Sequence, residues 1–187
     1  RLSPTKGWYN TIKLKQSFGL GGDINQYGNV YASFRKYLPI GEKTSIALNF
    51  QTGSKLFGEL PEFASFRMGG SYSVRGFQEG NIGHGGQYMM GSAELRAPIP
   101  LLSQVKKIPF VENIRGALFV DAGKLYSQDI SNRIFDRPGY GISAGAVIRL
   151  KVPGLGPIRV DYGIPLTKVG KYGNSGGRFN FGFGEKF

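Results

Sequence analysis

The chain has 187 residues, with 24 Lys and Arg against 12 Asp and Glu, so its formal net charge is +12. It contains no cysteine and a single histidine, which excludes disulfides, thiol catalysis and zinc–thiolate sites and leaves little for a metal centre. Such an excess of positive charge is, by itself, compatible with binding to nucleic acid or to an anionic membrane.

The chain shows neither a transmembrane helix nor a secretory leader. No apolar run approaches the roughly 18 residues that a membrane-spanning helix needs. The mean hydropathy is slightly negative, but transmembrane barrels share that property because their apolar and polar residues alternate and average out. Because the chain opens at Arg1 close to a predicted strand, we expect it to be an N-terminally truncated piece of a longer protein.

Eight segments alternate between apolar and polar residues with the two-residue period of a β-strand. In the first, Trp8, Ile12 and Leu14 share one face, and Lys13 and Lys15 share the other. Each segment is about ten residues long, which is the length of a tilted strand that crosses a bilayer. The segments cover residues 8–18, 27–38, 44–53, 87–97, 115–126, 139–152, 157–166 and 177–187.

The connections alternate between longer loops and mostly shorter turns, which is the up-and-down pattern of an outer-membrane barrel. The longer loops are residues 19–26, 58–86, 127–138 and 167–176. The sequence therefore predicts an all-β fold: an antiparallel transmembrane β-barrel with about eight strands present, forming one domain over residues 1–187.

The positive charge lies on the polar faces of these strands, and a barrel would place it in the lumen. A soluble β-sandwich whose basic outer faces could bind nucleic acid is the alternative. The aromatic residues near the strand ends and the length of the strands favour the membrane barrel. The basic residues concerned are Lys13, Lys15, Arg35, Arg96, Arg115, Arg149, Lys151 and Arg159.

The loop of residues 58–86 is long for a segment with no helical pattern, and such loops are normally functional or disordered. This one is rich in aromatic residues, which argues against disorder. We predict that it folds back into the barrel and that Arg75 meets an acidic residue on the inner wall. The alternation places Asp121 on the polar face, as it does Glu94 and Asp161. In the alternative interpretation, Arg75 is a solvated loop charge and Asp121 balances Arg115.

Several motifs follow one another at residues 66–77, 91–96, 117–123 and 156–163 and in the terminal strand up to Phe187. In this order they resemble the C-terminal half of the barrel of the BamA superfamily (the bacterial surface antigen family). That superfamily also includes two-partner secretion transporters and organelle import and assembly barrels. The resemblance implies a sixteen-stranded barrel preceded by POTRA domains, of which this chain would hold the last eight strands and lack the N-terminal strands and the POTRA domains.

The resemblance also implies roles for individual residues. The functional loop would be Val74, Arg75, Gly76 and Phe77, with Arg75 paired to Asp121 on the wall strand. A guanidinium offers a planar fork that a carboxylate accepts at two points, and Gly76 would let the loop pass close to the wall. Further lumen residues around the loop would be Phe119, Gly123, Glu94 and Asp161.

The terminal strand resembles a barrel-assembly signal, with alternating aromatics at Phe179, Phe181, Phe183 and Phe187. It departs from that pattern at Glu185, where an apolar residue would continue the outward series. An edge strand has unpaired backbone groups that can template an incoming strand. Gly182 and Gly184 would weaken closure of such a seam.

The function implied by the resemblance is insertion of β-barrel clients into the outer membrane of a diderm bacterium, with an organelle outer membrane favoured less. The expected partners are the lipid bilayer, unfolded outer-membrane proteins and accessory assembly subunits, with no nucleic acid. No catalytic residue, cofactor or metal is expected. A two-partner secretion transporter of the same superfamily is the alternative function, and a passive porin is favoured less than either.

Overall fold

The fold is known from a computed structural model, which describes residues 5–18, 26–99, 114–126, 138–152, 156–169, 176–184 and 186. These residues form ten β-strands and one 3-10 helix at Glu62–Ala64. The strands are β1 (Gly7–Ser17), β2 (Tyr27–Pro39), β3 (Ser45–Gly58), β4 (Phe66–Met68), β5 (Gly83–Gly85), β6 (Gln87–Pro98), β7 (Ile114–Tyr126), β8 (Tyr140–Val152), β9 (Gly156–Pro165) and β10 (Arg178–Phe183).

Eight of the strands form one sheet in the order β1-β2-β3-β6-β7-β8-β9-β10. Every neighbouring pair in it is antiparallel. The step from β3 to β6 passes over β4 and β5, which pair with each other as a separate two-stranded ribbon. The prediction of an all-β, up-and-down antiparallel fold with eight strands in one sheet is therefore confirmed. Among the described residues, no helix has the length and apolar character needed to cross a membrane.

The two faces of the sheet differ in the way the alternation predicts. On β7 the side chains of Leu118 and Val120 are 62% and 51% exposed, whereas Phe119 and Asp121, which alternate with them, are buried. The same exposed apolar face runs across the sheet from Trp8 on β1 to Phe181 on β10. An apolar surface that covers a whole sheet face is unfavourable in water and matches the lipid-facing side of a transmembrane barrel.

The long loop between β3 and β6 lies against the inner face of the sheet. Its apolar side chains bury themselves against Met90 of β6 and Leu125 of β7 and form the largest hydrophobic cluster of the described residues. The core therefore lies between the loop and the inner wall, as the prediction of an inward-folded loop requires. The loop residues in this cluster are Phe66, Met68, Val74, Phe77 and Ile82.

Three features differ from the sequence-based expectation. The loop contains the β4–β5 ribbon, which was not predicted because each strand has three residues and two of those in β5 are glycines. The third strand continues beyond residue 53 to Gly58, past a register shift in its pairing with β2 that disturbs the two-residue period. The terminal strand was predicted over residues 177–187 but ends at Phe183, where Gly184 adopts a positive φ of 85°.

The apolar outer face yields a test of the membrane assignment. Val120 is at the middle of β7, so Val120→Arg in the full-length protein should lower the free energy of unfolding in lipid vesicles by about 2–4 kcal/mol. Tyr140 is also exposed but is the first residue of β8, where an arginine should cost about 0–1 kcal/mol. Denaturant titration in vesicles measures both values. Equal, small costs at the two positions would contradict a lipid-facing surface.

Candidate functional site: an arginine loop on the inner wall

The β4–β5 ribbon holds the tip of the loop in a closed conformation. Its last register pair is Met68 and Gly83, and the Ile82 amide donates to the Met68 carbonyl over 3.0 Å. Within the tip, the Ser73 hydroxyl accepts from the Gly69 amide at 2.8 Å. Gly69 and Gly70 have φ values of 114° and 101°, which a residue with a side chain rarely adopts. These contacts within the loop define the conformation of the tip independently of its contacts with the wall.

Gly76 brings the backbone of the loop into direct contact with β9. A methyl group on Gly76, whose φ is 86°, would lie 2.8 Å from the carbonyl carbon of Gly163. A methyl group on Gly163 would lie 2.6 Å from the Gly76 nitrogen. Two facing glycines are thus what allows the two backbones to touch, which is a common reason for glycine within a strand.

Val74 and Phe77, the apolar residues on either side of the Arg75–Gly76 pair, are fully buried. A methyl group on Gly123 of β7 would come within 3.0 Å of the Val74 side chain, and one on Gly141 of β8 within 3.1 Å of the Phe77 ring. The wall therefore has gaps into which these two side chains fit. They anchor the loop tip on both sides of the arginine.

The Arg75 guanidinium makes a two-point contact with Asp121 on β7. Its Nε donates to Asp121 Oδ2 at 2.7 Å and its Nη2 donates to Asp121 Oδ1 at 2.8 Å. The Arg75 backbone amide also donates to Asp121 Oδ2, at 3.1 Å. This fork-to-carboxylate geometry is the strongest and most directional form of ion pair.

The Arg75 guanidinium also contacts other groups on β6, β7 and β9. Arg75 Nη1 donates to Glu94 Oε1 at 2.6 Å, and Nη2 lies 3.2 Å from the Ser92 hydroxyl. The guanidinium carbon is 3.5 Å from the centre of the Phe119 ring, a cation–π contact. Asp161 lies farther away, with Oδ1 3.9 Å from Nη1. The structure thus places four of the five wall residues predicted around the loop, Asp121, Glu94, Phe119 and Asp161, beside Arg75. The fifth, Gly123, contacts the loop at Val74 instead.

Arg75 remains charged although it is completely buried. Burial acts to lower the pKa of its guanidinium, but the hydrogen bonds and charges of Asp121 and Glu94 outweigh it and leave the pKa raised. Removing one partner of a buried pair leaves an uncompensated charge, which typically costs about 3–5 kcal/mol. Replacing either Arg75 or Asp121 alone should therefore weaken the attachment of the loop to the wall.

The ion-pair network extends around the wall beyond Arg75. Glu94 Oε2 accepts from Arg96 Nε at 2.9 Å and from Arg149 Nη2 at 2.6 Å. On β9, Arg159 Nε pairs with Asp161 at 3.1 Å while its Nη2 donates to the Ser71 carbonyl of the loop. Arg96, Arg149 and Arg159, which the alternation places in the lumen, are therefore buried and paired around the loop.

Lys186 joins this site and was missed by the sequence analysis. Its Nζ lies 2.8 Å from Asp121 Oδ2 and also donates to the Ser73 carbonyl of the loop. The parity of the terminal strand could have indicated it, because outward-facing Phe181 and Phe183 place even-numbered residues on the inner side. Arg115, the alternative partner considered for Asp121, instead donates to the Lys43 carbonyl at 2.9 Å.

The remaining predicted residues lie apart from the arginine. Phe179, Phe181 and Phe183 are exposed on the outer face of β10, and Phe187 and Glu185 lie outside the described residues. Within the described ranges, no group of three or more His, Asp or Glu side chains is arranged to hold a metal ion. The described residues around Arg75 form a buried salt-bridge cluster.

Comparison with known proteins places this arrangement in a family context. The family model of the Omp85 superfamily domain matches residues 1–187. The chain is 30% identical over 195 residues to Protein TOC75-3, chloroplastic, of Arabidopsis thaliana, covering 97% of this chain and 21% of that protein. It is 27% identical over 224 residues to the outer membrane protein assembly factor BamA of Neisseria meningitidis, covering 100% and 27%.

A solved structure matches the fold. The crystal structure of BamA from Haemophilus ducreyi lacking POTRA domains 1–3 superposes with a TM-score of 0.71 at 24% identity, covering 95% of this chain and 38% of that one. The chain spans between a fifth and about a quarter of the lengths of the two curated relatives. The match supports the assignment of the eight strands to the wall of a larger barrel.

The glycine contact between the loop and β9 can be tested with matched substitutions. Gly163→Ala places a methyl group against the Gly76 backbone and should cost about 1–3 kcal/mol of stability while exposing the loop to trypsin at Arg75. Gly91→Ala, on the outer face of β6, meets no atom within 4 Å and should behave as the wild type. Limited proteolysis of the folded full-length protein measures the effect. Equal protection of the loop in both variants would contradict the contact.

Proposed function

Because the chain belongs to the Omp85 superfamily, we propose that it is part of a barrel that inserts β-barrel clients into an outer membrane through the edge of its terminal strand. The observation that carries the proposal is the position of the loop, which is fastened inside the barrel next to that edge. A relative named as an outer membrane protein assembly factor matches the whole chain.

The terminal strand has the properties that edge templating needs. Within the described sheet, β10 pairs with β9 on one side only, from Arg178 to Phe183. It has six residues, whereas β7 and β8 have 13 each. A short strand has few hydrogen bonds to break, so its seam with the adjoining strand of a larger barrel could open and offer N–H and C=O groups to a client strand.

The loop is in a position to stabilise the working state of this edge. Its Tyr72 hydroxyl donates to the Phe183 carbonyl at the end of β10 over 3.2 Å. Its Arg75 is bonded to β6 and β7. The loop thereby connects the terminal strand to the middle of the wall and would hold the strand in place relative to β6 and β7 until a client displaces it.

The partners proposed for the whole protein follow from this activity. They are the lipid bilayer, unfolded outer-membrane proteins and accessory assembly subunits, and the activity needs no catalytic residue, cofactor or metal. The compartment is the outer membrane of a diderm bacterium or the outer envelope of a chloroplast, because the matching relatives come from both kinds of source.

Polypeptide transport through the lumen, as in a two-partner secretion transporter, is the second candidate function. It is favoured by a cavity of about 600 Å³ on the inner side of β1–β3. Three basic side chains and three tyrosines line this cavity, which suits an extended polypeptide better than an apolar solute. A passive porin receives less support, since the loop occupies part of the lumen. The lining residues include Lys13, Lys15, Arg35, Tyr9, Tyr31 and Tyr88.

Substitution of the loop arginine tests the proposal. In the full-length protein, Arg75→Ala leaves Asp121 and Glu94 without their shared cation, so client assembly in proteoliposomes should slow by about tenfold or more, the equivalent of 1.4 kcal/mol or more. The paired exchange Arg75→Asp with Asp121→Arg should restore part of the rate, limited by repulsion from Glu94. Protease protection of a newly assembled client barrel measures the rate.

Arg67→Ala is the matched control, because Arg67 lies in the same loop but its side chain is exposed. Its Nη2 lies 3.9 Å from Glu62 Oε1, which is beyond hydrogen-bond distance. It should assemble clients at the wild-type rate. A folded Arg75→Ala variant with normal assembly would refute the assigned role. Transfer of a soluble polypeptide into the vesicles would favour the transporter, and a large steady conductance in a planar bilayer would favour the porin.

A further inference from the structure

The chain turns inward after β10 and brings Lys186 into the arginine site. The Lys186 side chain is fully buried, although the strand before it is the edge of the sheet. Its ammonium donates both to Asp121 on β7 and to the Ser73 carbonyl of the loop. Three separate parts of the fold, namely the terminal segment, the loop tip and the middle of the wall, therefore meet at one ammonium group.

Asp121 Oδ2 is an acceptor shared by the loop and the terminal segment. Arg75 Nε and Lys186 Nζ lie 2.7 Å and 2.8 Å from this one oxygen. A carboxylate oxygen that accepts from two cations binds each of them less strongly than it would bind either alone, because their charges repel. The position of Lys186 therefore affects how Asp121 holds Arg75.

We infer that Lys186 is a positioning residue that couples the edge of the terminal strand to the Arg75 loop. This inference rests on the proposed strand-edge function. A client strand that displaces the end of β10 withdraws Lys186 from Asp121 and Ser73. The loop tip then loses one of its attachments, and Asp121 is left to Arg75. The loop thereby responds to whether the edge is occupied.

The Lys186 contact can be broken more easily than the Arg75 contact. Burial lowers the pKa of the Lys186 ammonium to about 8, although the carboxylates of Asp121 on β7 and Glu94 on β6 oppose this and the Arg75 charge from the loop adds to it. The pKa of Arg75 is instead raised. The cost of burying the charge thus exceeds the attraction to the carboxylates at Lys186 but not at Arg75. The lysine can therefore leave the site while the arginine stays bound.

This balance gives the contact a pH dependence. As the pH rises from 7 to 9, Lys186 loses its charge and the attraction to Asp121 is lost, while the neighbouring arginines and carboxylates keep their charges. In the unfolded chain the lysine titrates near 10.5, so between about 8 and 10.5 this group makes the free energy of unfolding rise with pH. Lys186 therefore does not lower the overall stability at pH 9, and loosening of the edge at that pH would reflect loss of its local contact with Asp121.

The experiment uses the full-length protein in lipid vesicles, with spin labels at Gln78 in the loop and Phe183 at the end of β10, both of them exposed. These 187 residues contain no native cysteine that would compete for the label. In the wild type at pH 7 we expect one narrow distance distribution, which broadens at pH 9. Lys186→Met should be broad at both pH values. Lys186→Arg should be narrow at both, because its guanidinium stays charged.

Client assembly supplies the second readout. Lys186→Met should slow assembly by about fivefold or more, as expected of a coupling contact, Lys186→Arg should restore most of the rate, and the exposed Lys168→Met should have no effect. Combining Lys186→Met with Arg75→Ala should be no slower than Arg75→Ala alone. If neither the wild type nor any variant assembles clients, the proposed function is wrong. The distance measurement still tests the coupling between Lys186 and the loop in that case.

Two results would overturn the inference. One is a distance distribution in the wild type that is the same at pH 7 and pH 9, a measurement that needs no Lys186 variant to fold. The other is an Arg75→Ala variant that assembles clients slowly beside a Lys186→Met variant that assembles them at the normal rate.

Discussion

The burial of one guanidinium is the constraint on which the rest of the inner structure depends. Arg75 has no contact with water, and a buried charge is stable only when carboxylates and further hydrogen bonds surround it. Asp121 and Glu94 supply these from two different strands, and both acids are themselves buried and need the arginine in return. The loop and the wall are thus complementary in charge, and neither arrangement is stable without the other.

Shape complementarity allows that charge pairing to occur. The guanidinium reaches Asp121 because the loop backbone touches the wall at Gly76 and Gly163, and because the wall is indented at Gly123 beside Val74. Gly123 and Gly163 lie within strands that otherwise alternate between apolar and polar residues, where glycine is normally a disadvantage. Their presence in strands β7 and β9 is explained by the loop that lies on them, which joins the fold of the sheet to the position of the site.

Most of the sheet could be predicted from the sequence, because a barrel wall with lipid on one side enforces a two-residue period over a dozen residues. The same parity placed Asp121 and Glu94 on the inner face. It could not reveal the three-residue ribbon strands, which are too short to show a period, or the register shift at Gly28. It also could not show that Arg96 and Arg149 share Glu94, since parity gives the side of the sheet but not the distance between side chains on it.

The distances along the chain between contacting residues suggest an order of folding. The ribbon joins residues fewer than 20 positions apart, and each long strand pairs with a neighbour in sequence apart from the step over the loop. The contact between Lys186 and Ser73 spans 113 positions. Since the entropy lost on closing a chain segment grows with its length, we expect the loop tip to be structured early and the terminal contact to form last. During its own biogenesis, the barrel would then complete the lumen before its final strand is secured.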